Sequence, residues 1–85
     1  MKSYAIRFTR EAAKDVEKLT PKLKEKLREI LLNAVAMEPY AGKRLVGDLA
    51  GFYSVRLTYQ DRIVYTVDEK VRIITIHRAR THYGD

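Results

Sequence analysis

The sequence has no cysteine and no tryptophan, and only two prolines and four glycines among its 85 residues. Without cysteine there is no disulfide framework, no thiolate-held cluster and no thiol nucleophile. Two histidines with no cysteine beside them make a poor structural zinc set. No apolar stretch approaches the ~20 residues needed to span a bilayer. The opening Met1-Lys2-Ser3-Tyr4 runs into alternating polar and apolar residues, not into the apolar block of a signal peptide. These absences predict one soluble, cytoplasmic domain over residues 1–85. A chain this short buries only about 60–65% of the surface its unfolded form exposes, so it holds one modest core. Acidic residues are also in short supply: eleven Asp and Glu face seventeen Lys and Arg, a formal net charge of +6. Such a surplus suits a polyanionic partner, nucleic acid or an anionic membrane surface, but it equally serves solubility. The placement of the charges has to decide.

Hydrophobic periodicity supplies the framework. Tyr4, Ile6 and Phe8 alternate with Ala5 and Arg7, the period of a strand. Thr9 stands where a helix N-cap belongs, and Arg10 to Leu19 carries Ala12, Ala13, Val16 and Leu19 on one helical stripe. Thr20-Pro21 interrupts it. Pro21 suits the first position of a second helix, because its missing N–H costs nothing there. That helix, from Pro21 to about Met37, aligns Leu23, Leu27, Ile30, Leu31, Ala34 and Val35 on a core-facing stripe, and Pro39 and Gly42 end it. Phe52–Thr58, Arg62–Val67 and Val71–His77 are rich in Val, Ile, Tyr and Thr, and turns too short for a crossover separate them. The prediction is an α+β fold of order β-α-α-β-β-β. Its sheet is mostly antiparallel, with an N-terminal helical hairpin packed on one face. The direction of the first strand stays open.

Strand alternation then distributes the charges. If the helices cover Tyr53, Val55 and Leu57, Arg56 points away from them and Arg62, just across the turn, joins it. In the last strand Arg72, Ile74, Ile76 and Arg78 alternate with Val71, Ile73, Thr75 and His77, and the even-numbered set extends to Arg78, Arg80 and His82. The expectation is a cluster of cations on the uncovered face. A single arginine there is an ordinary solvated side chain. Four of them, Arg56, Arg62, Arg78 and Arg80, beside His82-Tyr83, favour a phosphate groove, since guanidinium grips phosphate oxygens through paired hydrogen bonds. Histidine exchanges protons near neutral pH, and a tyrosine ring stacks on a base. His77, inside the last strand, is assigned a structural role.

The runs Lys43-Arg44-Leu45, Gly47-Asp48-Leu49 and Gly51-Phe52-Tyr53-Ser54-Val55-Arg56-Leu57, then Asp61-Arg62-Ile63-Val64-Tyr65 and the closing His82-Tyr83, resemble the RelE/ParE superfamily of toxins from type II toxin–antitoxin systems. Similarity is greatest to the RelE and YoeB/Txe branches, which are ribosome-dependent messenger-RNA endonucleases. The resemblance implies the RelE-like microbial RNase fold and RNA cleavage without metal or cofactor. The ribose 2′-OH attacks the neighbouring phosphorus, leaving 2′,3′-cyclic phosphate and 5′-OH ends. By position it assigns Arg62 to stabilising the transition-state phosphate, Arg56 and Arg80 to phosphate or RNA contact, His82 to proton transfer and Tyr83 to stacking. Arg78 and Lys43 complete the basic set. The glutamate that the YoeB-like branch carries ahead of its conserved leucine is absent: Ala41-Gly42-Lys43-Arg44 stands there. The general base is then His82 or Lys43, or the site works by electrostatics and positioning. Gly84-Asp85 follows the terminal tyrosine and adds negative charge.

The implied partners are the ribosome, messenger RNA and a cognate antitoxin, acidic and wrapping the toxin into a hetero-oligomer, with no membrane. Lys22, Lys24, Lys26 and Arg28 form a basic helical face suited either to ribosomal RNA or simply to solvent. The alternatives are a ParE-like inhibitor of DNA gyrase and a non-catalytic RNA-binding module.

Overall fold

The computed structural model describes residues 3–79. Among these, the chain runs through β1 (Ala5–Phe8), α1 (Arg10–Glu17), α2 (Pro21–Ile30), β2 (Lys43–Arg44), β3 (Tyr53–Arg56), β4 (Arg62–Asp68) and β5 (Ile73–Arg78). The strands form one sheet in the order β1-β5-β4-β3-β2. β1 runs parallel to β5, which the helical hairpin makes possible by carrying the chain back across the sheet. The remaining pairings are antiparallel. The expected α+β order holds, with one addition: two-residue β2 closes the sheet beside β3.

The helix starts follow from side-chain caps. The Thr9 hydroxyl accepts from the Ala12 amide at 3.1 Å, and the Thr20 hydroxyl from the Leu23 amide at 3.2 Å, with Pro21 at the first helical position. Each such cap contributes about 1 kcal/mol. After Ile30 the helix widens into a π turn over Leu31–Val35, where the Ala36 amide reaches back five residues to the Leu31 carbonyl at 2.8 Å. The regular helix is therefore shorter than its apolar stripe, and the wider turn keeps Leu31 and Val35 buried.

Ala12, Leu27, Leu31 and Val35 pack down on Leu57, Ile63, Tyr65, Ile74 and Ile76. Each large side chain fully buried here stabilises by roughly 1.5–3 kcal/mol. Tyr53 and Val55 lie against the same cluster, so the helices cover the face that the pattern assigned to them. The last strand corrects the pattern. Ile74 and Ile76 are fully buried in the core, so the even-numbered residues of β5 do not share the uncovered face. Strict alternation also fails further on. Tyr65 lies opposite Ile76 but Val64 lies opposite Arg78, leaving His77 as an extra residue in a bulge.

Away from the β3–β4 turn, Glu69 ties three segments together. One carboxylate oxygen accepts from the Tyr4 hydroxyl at 2.8 Å and from the Tyr40 hydroxyl at 2.6 Å, while Arg72 lies over the Tyr4 ring at 4.3 Å. The two hydroxyl donors hold Glu69 below its ordinary pKa, and the carboxylate pushes Tyr40 up to about 12. The lowered acid contributes stability above its ordinary value of 4.5 and loses it as pH falls. The raised phenol contributes below its ordinary value of 10 and loses it as pH rises toward 12. Glu69→Gln should therefore flatten both the acid and the alkaline shoulders of the thermal midpoint, scanned from about pH 4 to about pH 11. Identical profiles for native and variant proteins would show that the tie contributes nothing.

Candidate functional site

The face of the sheet opposite the helices is built from cross-strand partners. Arg56 at the end of β3 lies directly opposite Arg62 at the start of β4, and Ser54 lies opposite Val64 on one side and Lys43 on the other. Paired residues share a face, with Cα atoms about 4.5–5.5 Å apart, and diagonal neighbours lie about 7–8 Å apart. Arg56, Arg62 and Lys43 therefore stand together at one end of the open face. The Arg62 Nη1 donates to the Ser54 Oγ at 3.4 Å, across the diagonal. Arg56 and Lys43 are exposed, Arg62 partly so.

The turn between β3 and β4 sets this pair. The Leu57 amide donates to the Asp61 carbonyl at 2.8 Å, closing the loop. Within it the Thr58 hydroxyl donates to the Asp61 carboxylate at 3.0 Å and accepts from the Gln60 and Asp61 amides at 3.1 and 2.9 Å. The residue before Arg62 is thus fixed at both backbone and side chain. Two like charges face each other at a position the turn does not allow to slip, an arrangement that repels in isolation and that an anion between them relieves. Tyr59, at the tip of this loop, is 90% exposed and offers a bare aromatic face beside the cations, a feature the sequence reading passed over.

Arg78 does not join them. Its Nε donates to the Asp15 carboxylate at 2.8 Å and its Nη2 to the other oxygen at 3.3 Å, so the guanidinium turns toward α1. The reason is local: β1 ends at Phe8, opposite Ile76, and beyond that point Arg78 meets a carboxylate already buried beside the core. His77 occupies the open face further along. Its Nε2 lies 2.9 Å from the Thr66 hydroxyl and its ring meets the edge of Phe52 at 5.0 Å. Burial lowers its pKa, which favours the neutral imidazole. Arg7 shares this face too, opposite Thr75, which pairs with Thr66. Four residues along β4 separate Thr66 from Arg62, about 13 Å, so Arg7 and Arg62 do not grip one phosphate. Arg80, His82 and Tyr83, assigned to the site by resemblance, lie outside the described residues, as does Asp85.

Beneath β1 lies a second feature, a groove of about 280 Å³ lined by Ile6, Phe8, Val16, Leu27, Leu31 and Leu32 and flanked by Lys24 and Arg28. Phe8 and Leu32 remain about half exposed in it. Edge-strand β1 and the two helices supply its walls, so part of each apolar stripe stays unpaired.

A mixed sheet with a helical hairpin packed on one face is the fold of a known class of small bacterial toxin. The model of the ParE-like toxin of type II bacterial toxin–antitoxin systems matches residues 6–83, and the chain belongs to that family. Toxin RelG of Mycobacterium tuberculosis is 35% identical over 78 residues, 89% of this chain and 87% of the relative. The RelBE2 toxin–antitoxin complex of the same organism contains a chain that superposes with a TM-score of 0.85 at 32% identity, covering 100% of this chain and 97% of that one. A YoeB/ParE toxin from Agrobacterium tumefaciens superposes with a TM-score of 0.82 at 29% identity, covering 93% and 99%. The protein is a toxin of the RelE/YoeB kind, of the type II toxin–antitoxin class. No described helix is long and apolar enough to cross a membrane.

Proposed function

We propose that this toxin is an endoribonuclease that cuts messenger RNA on the ribosome and so stops translation. The observation that carries the reading is the Arg56–Arg62 pair, held opposite one another by a locked turn on the open face. In the reaction the ribose O2′ bonds to phosphorus as the P–O5′ bond breaks. The 2′-OH proton passes to a base and O5′ takes a proton as it leaves. The phosphorane-like transition state gathers charge on its non-bridging oxygens, and donors aimed at that charge lower the barrier. Arg62 supplies such donors, with Arg56 and Lys43 holding the flanking phosphates. His82 serves proton transfer and Tyr83 stacks on the base, following the resemblance of the chain's ending to the YoeB-like branch. With no carboxylate in the Ala41–Arg44 stretch, His82 is the assigned base, and Lys43 is the alternative.

The test is to express the chain and map RNA 5′ ends. Cuts that carry 5′-OH and 2′,3′-cyclic phosphate ends, and that vanish when translation is blocked, support the reading. Trapped DNA breaks instead would assign the chain to poisoning of DNA gyrase. Salt-sensitive RNA binding without cleavage would reduce it to a binding module.

The antitoxin reading rests on the groove beneath β1. An acidic amphipathic segment suits it: apolar side chains fill the floor while carboxylates meet Lys24 and Arg28. Leu32→Asp puts a charge where the floor expects an apolar side chain. It should weaken binding of the antitoxin at least tenfold, read by isothermal calorimetry, while leaving RNA cleavage unchanged. Unaltered affinity would place the antitoxin elsewhere.

A further inference from the structure

One row of residues crosses the open face well away from the Arg56–Arg62 pair. Arg7 on edge strand β1 lies beside Thr75 on β5, and Thr75 lies opposite Thr66 on β4. Residues so paired share a face, and adjacent strands lie about 4.8 Å apart, which sets Arg7 about 10 Å from Thr66. Phe52, one residue before the Tyr53–Tyr65 pair, falls beside Thr66 on the other side. His77, the extra residue of the β5 bulge, joins the row through its ring: Nε2 lies 2.9 Å from the Thr66 hydroxyl, and the ring meets Phe52 at 5.0 Å. The row thus carries a cation at one end, an aromatic pair at the other and a polar pair between. Each part has capacity left for a ligand. Arg7 is exposed and, among the described residues, forms no ion pair. Phe52 and His77 are only partly buried. The Thr66–His77 bond uses one proton, from the hydroxyl or from Nε2; in the neutral imidazole that burial favours, the other, on Nδ1 or on Oγ1, remains a donor.

We infer that this row is a second RNA subsite, which holds a nucleotide flanking the one that is cut, its phosphate on Arg7 and its base against Phe52 and His77. The inference rests on the reading of this face as a messenger-RNA surface. Thr66 lies about 13 Å along β4 from Arg62, so the two sites hold different phosphates of one strand laid along β4. The Arg7 guanidinium takes its phosphate through paired hydrogen bonds. The rings take a base by stacking, and the donor left on the Thr66–His77 pair meets an acceptor on the base edge. A base inside a duplex has no free face, so the substrate this row selects is a single strand with an unstacked base. Asp68, two residues past Thr66 on β4, places a carboxylate where the strip ends. No bond changes at this subsite, so it acts on binding and not on the chemical step.

The experiment titrates a labelled, 2′-O-methylated single-stranded RNA oligonucleotide, which cannot be cut, with the native toxin and with Arg7→Ala, Arg7→Lys, His77→Ala and Lys14→Ala. Fluorescence anisotropy reads the affinity over a range of salt. Arg7→Ala should lower affinity about five- to tenfold near about 0.1 M salt and reduce the slope of log K against log salt by about 0.7, the share of one phosphate. Arg7→Lys should keep the slope. His77→Ala should weaken binding roughly 5–100-fold with the slope unchanged. Lys14, exposed on α1 in the helical layer, should be replaceable without effect. On programmed ribosomes Arg7→Ala should raise KM by the same factor and leave kcat native. Native affinity and slope in Arg7→Ala overturn the inference, as does an equal loss in Lys14→Ala, which would show only the long-range pull of net charge. A fall in kcat with KM unchanged also overturns it. So does weaker association of Arg7→Ala with ribosomes that carry no message, since the phosphate on Arg7 is then ribosomal. If His77→Ala does not fold, the Arg7 variants, at an exposed position of an edge strand, decide by the same criteria. A native chain that binds the oligonucleotide in this way but cuts no message would instead sink the nuclease reading and leave the subsite standing.

Discussion

Arg62→Ala should reduce cleavage of ribosome-bound message by roughly 10²–10³-fold, the loss measured when one donor to a developing oxyanion is removed. The fold should survive. Arg62 is partly exposed, its bond to Ser54 is long at 3.4 Å, and its removal relieves the like charge it faces on Arg56. Arg62→Lys restores a cation but not the planar fork, and should recover only part of the rate. Arg56→Ala, at the exposed end of β3, should act mainly on KM, because a flanking phosphate is bound alike in ground and transition states. Single-turnover rates alongside circular dichroism separate these outcomes. A folded Arg62→Ala protein that cuts at the native rate would remove the observation on which the function rests.

Much of this geometry was legible in the chain because it depends on local periodicity. Thr9 and Thr20-Pro21 announce their helices through backbone chemistry that acts within three residues. Arg56 and Arg62 could be placed on one face because the Thr58–Asp61 turn is short and the alternation of β3 and β4 is unbroken. What the pattern left open or did not reach required knowledge of distant partners. β2 has two residues, Lys43 and Arg44, and no pattern of its own; it exists because Ser54 and Tyr53 offer it an edge. The parallel alignment of β1 depends on how the helical hairpin crosses the sheet, which no local signal records. Arg78 leaves the expected cluster because the even-numbered set of β5, with Ile74 and Ile76, faces the core, and its guanidinium finds Asp15 on that side. Its carboxylate partner sits 63 residues away in sequence. One signal was available: Asp15 interrupts the apolar stripe of α1 beside Ala12 and Val16, and a carboxylate at such a position calls for a cation.

Gly42→Ala should destabilise the protein by about 1–3 kcal/mol, the cost of forcing a methyl group into a filled space. The glycine has an ordinary negative φ, so the argument is one of room, not of backbone strain. A Cβ at this position would overlap the Tyr65 hydroxyl and sit 3.1 Å from the Ser54 carbonyl oxygen. Tyr65 cannot yield, because its ring is fully buried, stacked on Tyr53 at 5.7 Å, and its hydroxyl donates to the Pro39 carbonyl at 2.6 Å. Burial of that hydroxyl also pushes its pKa up to about 12. Tyr65→Phe alone should cost a further 1–3 kcal/mol, roughly, by leaving the Pro39 carbonyl without its donor. Combined, the two changes should cost clearly less than their sum, since removing the hydroxyl opens the space the new methyl needs. Recovery stays partial because the Ser54 carbonyl remains close. Urea denaturation of the four proteins gives the coupling directly, and strictly additive costs would mean that this contact is not what requires glycine. The same crowding bears on function: Ser54 pairs with Lys43 and accepts from Arg62, so a shift of its backbone moves the cations that the turn otherwise holds in place. Folded Gly42→Ala protein should then cleave more slowly than its stability loss accounts for, and adding Tyr65→Phe should return part of that rate.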